Sequence, residues 1–556
     1  MNLIYSRGGN MTKEINNQRR KFMQYAGVTA TAVATCPSLA QALNMGTSSR
    51  PSANFHADVE IELTQEAVKI PIFKGPETRI WKVFGKVLKG SPDTISEIPG
   101  SYLGPTLNFQ KGQKVRIYLK NNLPAHSILH WHGLHVPSKM DGNPMYAISH
   151  GETFVYEFEV LNRAGTYWYH AHTHSVTAKQ VYSGLAGLII VSDEEEKALG
   201  LPSGKYDVPI VIQDRNFDSR NQLVYITHMM QRMMGFLGDQ IMINGKPDFV
   251  LPVEKRSYRL RLLNGSNSRI YKLAWDDGSP VTVIGTDGGL IEKPESMPYV
   301  MLAPAERREL WIDFSDKPIG TELTLRSIPF EASSMHGGMM GGMGGGGMMG
   351  GRGGMGMMGG GRRGGMGKMM SGNSLPLGGE YSVLKVKIVK NAKSNDSFPK
   401  RLTPITPLRL SDSINAGKPR TITLSMRRMS ALLNGRSYKM DDIRPDEVIP
   451  VNTLQLMAFD NGYSRSMGMM GMPHPMHLHG EQFQIIKREV NSRHRSAHAS
   501  ISEGLVDSGW KDTVLVMPGE RVTFLKPFND FKGMFMYHCH NLEHEDMGMM
   551  RDFLIK

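Results

Sequence analysis

Four His-x-His pairs constrain this chain more than any other feature: His130-Trp131-His132, His170-Ala171-His172, His477-Leu478-His479 and His538-Cys539-His540. Successive side chains of a strand point to opposite faces, so each pair on a strand presents two imidazoles on one side. One pair is a weak signal. Two pairs toward each end of a 556-residue chain are a strong one, because a fold that joins them gathers eight imidazoles in one place. Imidazole suits copper, zinc, iron and nickel. Eight of them can hold three coppers, two on one ion and three on each of the others, with room for dioxygen between.

The last pair adds a second constraint. Cys539 sits between His538 and His540 and faces the other side of the strand. A metal on Cys539 would be joined to metals on the two histidines through a few covalent bonds. A soft thiolate, two imidazoles and a weak axial thioether form the donor set of a blue-copper electron-transfer site. Cys539, His544 and Met549 supply three of these groups, and His474, just ahead of Pro475, completes the set. A buried structural cysteine beside two core histidines is the bland alternative. The only other cysteine, Cys36, lies in the leader. No disulfide is therefore expected in the mature chain, and ligation gives the one retained thiol a protected role.

Lysine and arginine number 65 against 52 acidic residues, a formal net charge of +13. The excess is spread along the chain without a basic helix or an aromatic-basic ladder, so nucleic acid is not an expected partner. Gln18-Arg19-Arg20-Lys21-Phe22 resembles a twin-arginine export motif, and Ala40-Gln41-Ala42 offers a small-residue cleavage site. Residues 1–45 thus read as a signal region, with the periplasm as destination. The apolar run Tyr25 to Ala34 is too short to span a bilayer, so no membrane anchor is expected. The expected state is a monomer.

Short β-rich runs separated by turns fill the rest, among them Val115 to Leu119, Phe154 to Val160, Tyr258 to Asn264 and Tyr381 to Ile388. This pattern predicts an all-β chain of sandwiches. The expected blocks are 52–195, 205–395 and 415–556, with the acidic run Asp193 to Glu196 read as the linker after the first. A Gly/Met-rich insertion, 335–370, interrupts the second block. Glycine at this density makes a coil that cannot bury a core. Its thioethers are soft donors that prefer Cu(I), which favours a copper-collecting loop over a neutral insertion. Methionines also cluster at Met229, Met230, Met233 and Met234, around Met467 to Met472, and at Met547, Met549 and Met550.

His130-Trp131-His132-Gly133, His170-Ala171-His172, His474-Pro475-Met476-His477-Leu478-His479-Gly480 and the run from His538 to Met549 resemble the four signatures of multicopper oxidases. The resemblance implies three cupredoxin-like Greek-key β-sandwich domains, with a metal cluster between the first and third. It implies copper ions, four in all: one blue type 1, one type 2 and a coupled type 3 pair. Carried over by position, His474, Cys539, His544 and Met549 resemble the blue-copper ligands, and His130 and His477 those of type 2. The type 3 pair would take His132, His170 and His540 on one ion and His172, His479 and His538 on the other. Asp141 and Glu545 resemble the family's proton-relaying acids.

The leader, the methionines and Glu543-His544-Glu545-Asp546 resemble bacterial cuprous oxidases of copper tolerance. In those, an additional substrate copper sits near the blue site on two methionines and two aspartates. Met426 and Met472 resemble the methionine positions, while the aspartate positions read Ala431 and Met470. The implied activity is oxidation of Cu(I) to Cu(II) coupled to four-electron reduction of dioxygen to water. A laccase-like oxidase of phenolic or other organic molecules is the alternative. A copper-binding protein without catalysis on the same fold is a third reading, which the full ligand set disfavours.

Overall fold

Burial alternates residue by residue along the strand Val59–Ile70, whose Val59, Ile61 and Leu63 are buried while the residues between them are half-exposed. That strand pairs antiparallel with Thr78–Lys89 and parallel with Lys114–Asn121. A parallel neighbour cannot be reached by a tight hairpin, so the chain must cross over, and here it does so between two facing sheets. The same device recurs twice. Asp207–Arg215 runs parallel to Ser257–Asn264, and Arg420–Arg427 parallel to Thr453–Asn461. The result is an all-β protein of cupredoxin-like sandwiches, as the sequence predicts.

The computed structural model describes residues 49–332, 375–392, 398–427, 430–462 and 471–556. The expected signal region 1–45, the insertion 335–370 and Met467, Met469 and Met470 lie outside the described residues. No helix among the described residues is long and apolar enough to cross a membrane.

Each sandwich closes on its own apolar core. Ile61, Val115 and Trp131 belong to the first, Leu260, Val283 and Leu310 to the second, and Ile422, Phe459 and Phe524 to the third. Burial of each such side chain contributes roughly 1.5–3 kcal/mol. The third core also contains Cys539 and Met549, so the thiol lies inside the apolar layer.

The acidic run after the first sandwich is more than the linker its composition suggests. Glu194–Lys197 forms a short helix capped by the Asp193 side chain, which accepts from the Glu196 amide. Glu196 is buried, 2.6 Å from Arg259 Nη1 and 3.3 Å from Arg261 Nη2. Both arginines also bind Glu309, and Arg261 reaches Thr166 of the first sandwich at 3.2 Å. Buried charges persist only when paired, so this network fastens the first sandwich to the second.

Candidate metal centre

The strand Gly533–Cys539 lies between His474–Leu478 and Met550–Ile555, with Cys539 opposite Met476 and His538 opposite His477. Alternation sends Cys539 into the third core and its flanking histidines the other way. Cys539 Sγ is 3.5 Å from His474 Nδ1 and 3.8 Å from His544 Nδ1. His544 rides on the short helix Leu542–Asp546, whose cap Asn541 accepts from the His544 amide. Met549 is fully buried, and its backbone is clamped on both sides. Its amide donates to the His544 carbonyl at 2.9 Å, and its carbonyl accepts from the Cys539 amide at 3.0 Å. Burial pushes the Cys539 thiol well above its ordinary pKa and His544 down to about 4, and holds His474 well below the histidine range. A thiolate here needs a cation beside it, and the soft donor set fits copper.

On the other face, eight imidazoles converge. His130 Nε2 is 3.4 Å from His477 Nε2, and His170 Nε2 is 3.4 Å from His540 Nε2. His538 Nε2 lies 3.3 Å from His172 Nε2 and 3.2 Å from His479 Nε2. All eight rings are buried. Burial, reinforced by neighbouring imidazoles, holds His132, His170, His477, His479 and His540 well below the ordinary range. His172 is held there by burial, against the opposing pull of Glu545. Neutral imidazoles with facing nitrogens cannot all satisfy one another by hydrogen bonds. Nδ1 of His132, His172 and His540 has no hydrogen-bond partner among the described residues. Several three-residue combinations of these rings bring their donor atoms within 4.8 Å of one another, which fits more than one bound ion.

Models of the multicopper oxidase family match residues 83–196 and 414–556. The chain is 31% identical to the multicopper oxidase mco of Staphylococcus aureus over 463 residues, 83% of this chain and 84% of that one. The chain belongs to the multicopper oxidase family. A laccase of Bacillus stratosphericus is 28% identical over 88% of this chain and 97% of its own length. Among solved structures, a multicopper oxidase of Campylobacter jejuni described as a metallo-oxidase superposes with a TM-score of 0.68 at 25% identity. That match covers 92% of this chain and 94% of that one.

Around the histidines this multicopper oxidase sets three carboxylates. Asp141 Oδ2 accepts from His479 Nδ1 at 2.7 Å, and the Asp141 carbonyl accepts from His130 Nδ1 at 2.6 Å. Gly142 has φ +76°, and a Cβ there would collide with Leu129 O and His130 Cα. Only glycine lets the Asp141 loop lie this close to the histidine strand. Burial raises the Asp141 carboxyl above its ordinary pKa. Glu545 Oε2 lies 3.1 Å from His538 Nδ1, and Oε1 lies 3.8 Å from His172 Nε2. The sequence singles out both acids, and both touch cluster histidines.

The third carboxylate, Asp512, escapes the sequence reading. Its Oδ1 is 3.0 Å from His132 Nε2, and its carbonyl accepts from His477 Nδ1 at 2.8 Å. Arg307 of the second sandwich grips the same carboxylate, with Nη1 at 2.8 Å and Nη2 closer. The one available signal is the charged pair Lys511-Asp512 heading the wholly buried strand Thr513–Val516. Glu543 is also missed. It accepts from Tyr225 Oη at 2.8 Å, Asn267 Nδ2 at 2.8 Å, the Phe236 amide at 2.9 Å and Ser268 Oγ. These bonds fasten the His544 helix to the second sandwich.

Met472 is buried just ahead of His474, with Asn461 Nδ2 donating to its carbonyl at 2.7 Å. Met426 packs half-buried against the third core, opposite Ala431 across a hairpin. Ala431 is fully buried and offers no side-chain oxygen at that position.

Proposed function

We propose that this oxidase takes its electrons from Cu(I) and delivers them to dioxygen, in the periplasm, with residues 1–45 as its export signal. One observation carries the choice of reductant. The short helix Met229–Met234 lies over the blue-site histidine, and the Met233 carbonyl accepts from His544 Nε2 at 3.0 Å. The imidazole edge that a bulky phenol would have to approach is thereby covered. The cover is rich in thioethers, and Met229 and Met230 are 49% and 46% exposed. Thioethers are soft donors suited to Cu(I).

Bound copper supplies a one-electron acceptor at Cys539 and a four-electron donor to dioxygen among the eight histidines. The polypeptide supplies the rest. Cys539 is bonded directly to His538 and His540, so an electron has a short covalent path from one centre to the other. Dioxygen reduction to water also consumes four protons inside a buried site. Asp141 Oδ2 accepts from His479 Nδ1, and Glu545 stands beside His538 Nδ1. Each orients a ring and offers an oxygen to a proton on its way in. Met426 and Met472 are proposed as further thioethers for the incoming ion.

Steady-state dioxygen consumption with chelated Cu(I) and with a bulky phenol, measured side by side, tests the reading. Cu(I) is expected to give the higher kcat/KM by at least about tenfold, the ratio that a 1.4 kcal/mol preference yields. A bulky phenol turned over as well as Cu(I) would overturn it. Replacing Ser334 to Met370 by a short Gly/Ser hairpin should leave the fold intact, since loop closure entropy changes slowly with length. Cu(I) turnover at low copper should fall and bulky-phenol turnover should hold or rise. Unchanged Cu(I) turnover at low copper would make the tract a tolerated insertion only.

A further inference from the structure

An open cleft of about 670 Å³ lies on the first sandwich, floored by Trp81, Tyr182 and Tyr225 and edged by Lys69, Arg79 and Lys179. No carboxylate lines it. Three exposed cations that form no ion pair among the described residues draw an anion, and aromatic walls take a flat apolar body. The volume falls in the range of small-molecule sites.

Tyr225 ties this cleft to the redox centre. Its Oη donates to Glu543 Oε1 at 2.8 Å, and Glu543 is the residue before His544. The Tyr182 ring is 4.8 Å from the Tyr225 ring and 4.8 Å from Phe236. The Phe236 amide donates to the other Glu543 oxygen at 2.9 Å. The aromatic floor thus ends one peptide away from the histidine beside Cys539.

We propose that this cleft is a second reductant site, for a small phenol bearing a carboxylate, such as a hydroxycinnamate. Its electron enters through Tyr225 and Glu543 to His544. The carboxylate sits among Lys69, Arg79 and Lys179, and the ring lies on Trp81 and Tyr225. In the step, the phenolic O–H bond breaks. One electron leaves along Tyr225, Glu543 and His544 to the oxidised centre that the family's reaction with dioxygen regenerates. The proton passes to water at the open rim, and the phenoxyl radical departs to couple in solution. This route needs the family's redox centre but not the Cu(I) reading, because Cu(I) would arrive on the methionine side of His544.

The binding half is tested by calorimetric titration of the copper-loaded protein with 4-methoxycinnamate, which keeps the ring and carboxylate but has no phenolic proton to lose. The parent should bind it more tightly than its methyl ester. Lys69→Glu with Lys179→Glu, both on exposed residues, should raise its Kd at least about tenfold, from two contact-range charges reversed. An unchanged Kd, or no preference for the carboxylate over the ester, overturns the site. The electron route is tested with Tyr225→Phe. Its Kd for the probe should stay within about twofold of the parent, since the ring remains. Its ratio of 4-hydroxycinnamate turnover to Cu(I) turnover should fall at least about tenfold, because the link to Glu543 is gone. An unchanged ratio overturns the route, whether both rates fall together or neither falls. The Cu(I) rate is read separately, so failure of the cleft leaves the proposed cuprous activity standing, and the converse.

Discussion

Cys539→Ser should abolish the strong thiolate-to-metal absorption and lower oxidase turnover by more than about 10³-fold, the scale seen when one member of a jointly acting unit is removed. The native sulfur is fully buried, with imidazole nitrogens at 3.5 and 3.8 Å and a backbone amide, that of Asn541, donating to it at 3.4 Å. Burial already drives the thiol pKa up, so only a cation in the site makes the thiolate stable. A serine hydroxyl is far less acidic and a harder donor, and stays protonated in the same place. The histidines of the cluster are untouched, so metal analysis should find only the blue-site ion lost. Compared in their metal-free forms, variant and parent should unfold at similar temperatures, because Cys and Ser differ in volume by less than a methylene. A variant that keeps both its colour and its turnover would remove Cys539 from the electron route.

The second large effect is expected from Asp512→Ala. This carboxylate holds His132 Nε2 at 3.0 Å and is held in turn by Arg307. Gly133 packs against the same pair, and a Cβ there would collide with both Asp512 and Arg307. Removing the carboxylate leaves the buried Arg307 guanidinium with Asp287, at 3.8 Å, as its remaining counter-charge, which costs up to about 3–5 kcal/mol. It also frees the His132 ring to change tautomer and orientation, which should weaken metal binding at the cluster by about 10–100-fold. The two effects separate in the double variant with Arg307→Met. Denaturant unfolding should recover most of the lost stability, because the poorly compensated charge has gone. Metal affinity should stay low, because His132 still lacks its partner. Recovery of both together would reduce Asp512 to a partner for Arg307 alone.

What could be read in advance follows the range of the interactions concerned. The strands are legible because their period-two burial is local, as in Val59–Ile70. The metal-binding histidines are legible because each signature is a short run with distinctive donors. Asp141 and Glu545 are legible only through the resemblance, yet both lie against cluster rings. Asp512 and Arg307 are different. Their partnership spans 205 residues, and the bond from Asp512 to His132 spans 380. No local pattern marks a carboxylate whose partners come from both other sandwiches. The methionines at 229–234 are visible as a cluster, but their position over His544 depends on a contact across 311 residues. The acidic run at Asp193 reads as a linker by composition alone, and its Glu196 becomes a buried clamp once Arg259 and Arg261 meet it.

The pairing of His130 with His477 joins residues 347 positions apart. On a ribosome moving at 5–20 residues per second, roughly 20–70 seconds separate the two. Through that interval the first sandwich can already be folded, with His130, His132, His170 and His172 arrayed at its edge and no partner yet made. Half of a copper site is still a chelator, and affinity among divalent ions rises toward copper whatever the protein needs at that moment. Metal captured then would be held by the wrong ligands, and the closing sandwich would have to displace it. Biosynthesis of this chain therefore favours keeping the nascent form away from free transition metal. Loading belongs after the last strand, Met550–Ile555, has docked beside Gly533–Cys539.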